Sequence, residues 1–144
     1  MSFGQAYSGW ARYLSDYPTD YGEMLVAVPC HPGAGPDLVY GLLDTAAQWC
    51  VMSLDLAEDL GCPPRADDPS AMLHTRFGRM LGQIARVPLV LPVVDGEALT
   101  VEATFWISDQ WSGPTVIGWK GCLERIRFAI DPQTETFYFA DSEV

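Results

Sequence analysis

Hydrophobic and polar positions alternate along this chain in two registers, near 3.6 residues before Arg86 and near two after it. In residues 2–17, Phe3, Tyr7, Trp10, Leu14 and Tyr17 share one side of a helical projection, and Gln5, Arg12 and Asp16 take the other. Ser2 as N-cap and Pro18 as terminator complete the prediction of a helix with an aromatic stripe. Glu23–Pro29 reads as a buried strand, and residues 30–37 as a Pro/Gly loop. A long helix is predicted over Asp37–Leu60, closed by Gly61 and the Pro63-Pro64 pair. Asp37, Asp44, Asp55, Glu58 and Asp59 then fall within an arc of about 100°, leaving the remaining faces apolar. A third helix is predicted over residues 70–86, started by Asp68 and Pro69. It sets Leu73, Phe77, Met80, Leu81 and Ile84 against Arg76, Arg79, Gln83 and Arg86.

Past Arg86 the pattern is that of strands. Val87–Val94 carries Pro88 and Pro92, which suits a strand entry or an edge, and Asp95-Gly96 is a turn signal. Leu99–Ile107 alternates, with Leu99, Val101, Ala103, Phe105 and Ile107 on one face. Thr115–Trp119, Cys122–Ile130 and Thr136–Ala140 complete the set, the last two joined by Asp131-Pro132. The expected fold is α+β, a single domain over residues 1–144. About three helices would pack on a mostly antiparallel sheet of five to six strands.

Composition adds that 49% of the 144 residues are hydrophobic, enough for a core and too many for a disordered chain. The net charge of −11 disfavours nucleic acid and anionic membrane surfaces as partners. The charge is uneven: residues 1–64 carry −7, residues 65–127 balance, and the final segment carries −4. The opening MSFGQAYSGW lacks the basic and apolar regions of an export signal, and the apolar Leu38–Leu60 stretch is interrupted by acids. Cys30, Cys50, Cys62 and Cys122 form no CxxC and are expected as free thiols. The chain has no Asn and one Lys, Lys120, which points to a GC-rich bacterial or phage genome. Together these features lead to an expected cytoplasmic location.

Candidate chemistry is sparse. Cys30 and His31 are adjacent in a Pro/Gly loop, but a working thiol–imidazole pair normally comes from separate segments, which makes Cys30 with His74 the sounder pair. Cys30, His31, Cys62, His74 and Cys122 have the atom types of a zinc site without its spacing. The GAGP loop before a predicted helix has the layout of a phosphate cradle, but Asp37 puts a negative charge where the phosphate would sit. No pair of carboxylates stands out for acid–base work, and no catalytic residue, metal or cofactor is assigned.

The directional acidity suggests a small binding protein that neutralises a basic protein partner by occlusion. By analogy of charge and size, it would be an inhibitor of the toxin-immunity or anti-defence type, its partner a toxin or nuclease domain. Asp55, Glu58, Asp59, Asp67 and Asp68 would form the contact patch with Trp111, an aromatic residue in a loop. The alternative is a small enzyme or ligand-binding domain with a pocket near Cys30, His31 and His74.

Overall fold

The structure, a computed structural model, describes residues 6–19 and 22–142. In chain order the strands are β1 (Gly9–Arg12), β2 (Tyr17–Thr19), β3 (Gly22–Met24), β4 (Ala27–Pro32), β5 (Val39–Leu43) and β6 (Cys50–Ser53). A six-residue helix, α1 (Leu54–Asp59), separates these from β7 (Ser70–Thr75), β8 (Gly78–Leu91), β9 (Asp95–Gly96) and β10 (Leu99–Ser108). After β11 (Val116–Ile117), a 3-10 turn at Leu123–Arg125 leads into β12 (Ile126–Asp131) and β13 (Thr136–Asp141).

This is a β protein, and the expectation of three helices on a sheet is overturned. Where the second helix was expected, β5 and β6 flank a loop, and only α1 is helical. Val39 and Tyr40 favour strand, and Gly41 lies so close to Ile117 that a Cβ there would sit 2.7 Å from its Cγ1. The third predicted helix is the hairpin β7–β8, in which Met72 opposes Leu81 and His74 opposes Arg79. Residues 70–75 alternate in burial with period two, and Gly78 adopts φ 109° at the turn. A stripe at 3.6-residue spacing and two opposed strands draw on nearly the same residues here, and Gly78 and Gly82 favour the strands. Where the first helix was expected, residues 9–12 form β1 and Tyr17 opens β2, and residues 2–5 lie outside the described residues.

The strands predicted downstream have counterparts in β8, β10, β11, β12 and β13, with shifted ends. Pro88 is a departure: it sits well inside β8, opposite Glu102, and its carbonyl accepts from Gly33 N–H.

Six of the strands close into a ring. β10 pairs with β6 in parallel and with β8 antiparallel, and the circuit returns to β8 through β11, β5 and β4. Closure leaves no unpaired edge in that ring. β8 belongs to two structures at once. Its second half is barrel wall against β10, and its first half runs out beyond the barrel with β7. A four-stranded sheet in the order β12-β13-β1-β9 packs against the barrel. The core runs through both, with Phe137 and Phe139 joining Val28, Leu89, Val101 and Phe105.

Candidate functional site

β5 ends at Leu43 and delivers Asp44 into a tight loop. Asp44 N–H donates to Ile117 O at 3.0 Å, Ala46 N–H donates to Asp44 Oδ1 at 3.0 Å, and Ala47 N–H donates to Asp44 O at 3.2 Å. Such Asp-centred turns hold the carboxylate by its own backbone. The far side of the loop is tied down as well. Trp119 and Lys120 N–H donate to Ala47 O and Gln48 O at 2.9 and 2.7 Å. Asp44 is half-buried, with Thr45 and Ala46 exposed beside it.

The loop forms the floor of a cleft of about 960 Å³. The β7–β8 hairpin contributes Leu73, His74, Arg76 and Met80 to its lining, and the β2–β3 hairpin contributes Glu23 and Met24. Between them lie Trp49, Val51, Trp111 and Val116, so the interior is mostly apolar with few charges. Among the described residues Asp44 and Glu23 are the acids that line it. A volume of this size accommodates several residues of an extended peptide or a ligand of drug size.

Trp106 anchors the root of the overhanging hairpin. It is fully buried, its Nε1 donates to Ala71 O at 2.9 Å, and Trp111 meets it edge-on at 82° with ring centres 6.3 Å apart. Gly82 lies directly over the indole, where a Cβ would come within 2.5 Å of Cε2.

The residues singled out from sequence are dispersed. Asp55, Glu58 and Asp59 are exposed on α1, and Asp67 is exposed in the following loop. Asp68 is half-buried and accepts from Arg65 N–H at 2.7 Å. Trp111 is a cleft wall with its Nε1 bonded to Pro114 O at 3.0 Å. Asp37 and Asp44, grouped with the α1 acids on the expected helix, belong to a loop and to the cleft floor.

His74 lines the cleft, but Cys30 and His31 do not. His31 Nδ1 sits 3.1 Å from Asp37 O. Cys30 is fully buried with its thiol on Val39 O, and burial pushes its pKa up to about 12, which removes it as a nucleophile. Cys50 and Cys122 are buried partners: a hydrogen bond from Cys122, backed by Gly118 N–H, draws the Cys50 thiol down, while the same contact and burial hold Cys122 up. All four cysteines are free thiols. Among the described residues no group of three ligating side chains is placed to hold a metal. The GAGP loop precedes a strand, so no helix N-terminus is there to receive a phosphate.

No family model and no curated protein matches the chain. Among solved structures it is similar to the crystal structure of a retropepsin-like aspartic protease from Rickettsia conorii. The TM-score is 0.59 at 14% sequence identity, over 92% of this chain and 98% of that one. At this identity the likeness is one of fold alone. No helix among the described residues is long and apolar enough to cross a membrane.

Proposed function

We propose that this chain is one half of an aspartic-protease-type peptide hydrolase whose paired carboxylates are Asp44 and Asp44 of a second copy. The observation that carries the reading is Asp44 itself, held by its own turn on the floor of the large cleft beneath a β-hairpin. Aspartic-protease chemistry uses two carboxyl groups so close that they share one proton, since both cannot ionise side by side. The ionised member takes a proton from water as its oxygen attacks the scissile carbonyl. The protonated member gives its proton to the carbonyl oxygen, and the tetrahedral adduct collapses as the leaving nitrogen is protonated. One chain supplies one such group. Among the described residues the other acid of the cleft is Glu23, which is exposed on the β2–β3 hairpin and lacks the turn that fixes Asp44. Two-fold pairing of identical floors supplies the second Asp44 at no cost in new sequence.

The test is cleavage of a mixed peptide library by wild type, Asp44→Asn and Glu23→Gln, with molar mass by sedimentation. Asn keeps the Oδ1 acceptor and the turn. Cleavage by wild type and Glu23→Gln, its loss in Asp44→Asn, and a two-copy particle are expected. Cleavage that survives Asp44→Asn refutes the reading.

A second reading keeps the chain as a non-catalytic acidic inhibitor that occludes a basic protein partner such as a toxin or nuclease domain. What favours it is the exposure of Asp55, Glu58, Asp59 and Asp67 on adjoining segments. Reversal of Asp55, Glu58 and Asp59 to Lys should then abolish capture of that partner, and unchanged capture would exclude it.

A further inference from the structure

The cleft is not electrically uniform. On a chain of net charge −11, the hairpin turn that overhangs it carries Arg76, with His74 one residue before the turn, and both line the cleft. Arg76 stacks over the ring of Phe77 with its guanidinium carbon 5.0 Å from the ring centre. The turn beneath is braced: Thr75 Oγ1 donates to Gly78 O at 2.9 Å and accepts from Phe77 N–H at 3.1 Å. Among the described residues no carboxylate lies within ion-pair distance of Arg76 or His74. A guanidinium so held at an apolar cleft, with no carboxylate partner among the described residues, is a preorganised receptor for a carboxylate, which it can take with two parallel hydrogen bonds. Glu23, on the β2–β3 hairpin, lines the same cleft with the reverse sign.

We propose that Arg76 is a specificity-determining residue that selects peptides carrying an acidic side chain at the position lying under the hairpin turn, with apolar residues in the remainder of the cleft. This rests on the peptide-hydrolase reading for its substrate class. It runs against the field of the whole molecule, which favours basic peptides, and that makes it sharp.

The experiment uses peptides with one apolar core in which Glu, Gln or Lys is placed at each position in turn. Binding to the Asp44→Asn protein is followed by the fluorescence of Trp49 and Trp111, and cleavage is followed with wild type. At one position the Glu peptide should bind about three- to fivefold more tightly than its Gln twin, with Lys weakest, as suits a bidentate ion pair at an exposed arginine. Arg76→Gln should bring Glu and Gln within about twofold, and Arg76→Glu should turn the preference to Lys. Arg76 is exposed in a turn, so these variants keep the fold. A Glu preference that persists in Arg76→Gln, a preference at no position, or binding of no peptide overturns the proposal. Arg76-dependent preference without cleavage overturns the hydrolase reading and sustains this one; cleavage without preference does the reverse.

Discussion

A methyl group added at Gly118 is the smallest change that should damage the fold and the site together. The position lies between β11 and the exposed Trp119, against the loop that carries Asp44. A Cβ there would stand 2.2 Å from Trp49 O, 2.5 Å from Trp49 C and 3.0 Å from Ala47 O. Every one of these is a backbone atom, so no side-chain rotation relieves the clash. Comfortable heavy-atom contact begins near about 3.5 Å, so the two segments must part by roughly 1 Å. Overpacking of this kind costs about 1–3 kcal/mol, and the immobile neighbours place Gly118→Ala towards the upper end. With a urea slope of about 1–3 kcal/mol per molar, the unfolding midpoint should fall by about 1 M. Parting the segments also strains the bonds from Trp119 and Lys120 N–H to Ala47 O and Gln48 O, which brace the Asp44 loop. Displacing a reacting group by about 1 Å costs about 100-fold in rate. The assays are urea denaturation followed by tryptophan fluorescence, and peptide cleavage at equal folded concentration. Gly35→Ala is the control, since a Cβ there meets nothing within 4 Å. A Gly118→Ala midpoint that coincides with the control would refute this account of the loop's support.

Other perturbations separate the parts of the molecule. Thiol labelling of the native protein should modify Cys62 first, because it alone is half-buried while Cys30, Cys50 and Cys122 are buried, and all four should react in denaturant; equal rates in the native state would contradict this. Cys30 ionises near 9 when unfolded and near 12 in place, so its contribution to stability is intact below pH 9 and is lost as pH rises towards 12. The slope from this one group is about 1.4 kcal/mol per pH unit, Tyr13 adds in the same sense, and Cys30→Ala should flatten the alkaline limb of a urea titration. If two copies of charge −11 must meet, added salt should tighten the dimer and raise specific activity at low protein concentration; sedimentation showing the opposite would argue against the pairing. Trp106→Phe should cost about 2–4 kcal/mol through a cavity and the unpaired Ala71 carbonyl, read as a fall in melting temperature.

The second half of the chain was the more legible. Leu99–Ser108 alternates cleanly because one face of β10 meets the core, and alternation is a direct imprint of that burial. Residues 70–86 misled because opposed strands of a hairpin place apolar residues at spacings that a helix also satisfies; the deciding signal was the pair Gly78 and Gly82. In residues 37–60 the apolar run was continuous since β5 and β6 are covered by neighbours, and a buried strand has no period to show. The site went unseen for the same reason. Asp44 reads as one acid among five on a helix until the segment is divided into a strand, an Asp-Thr turn and a second strand. A turn-forming Asp between two strand-prone runs was the available signal. That Asp44 and Arg76 line one cleft was beyond reach, since 32 positions separate them and only the folded barrel with its hairpin brings both to one space.

Cutting barrel wall and hairpin from the same strand has a consequence for how this protein can change. Gly82, the Trp106 bond to Ala71 and the bonds of Leu81 to Ser108 and Gln110 clamp the hairpin where it leaves the barrel, so everything from Met72 to Met80 is cantilevered beyond a fixed root. Residues on the free arm can be exchanged, lengthened or recharged without reopening the ring of strands below. The hairpin turn is thus a module that evolution or a protein engineer can retune for a new ligand, while the barrel keeps its register.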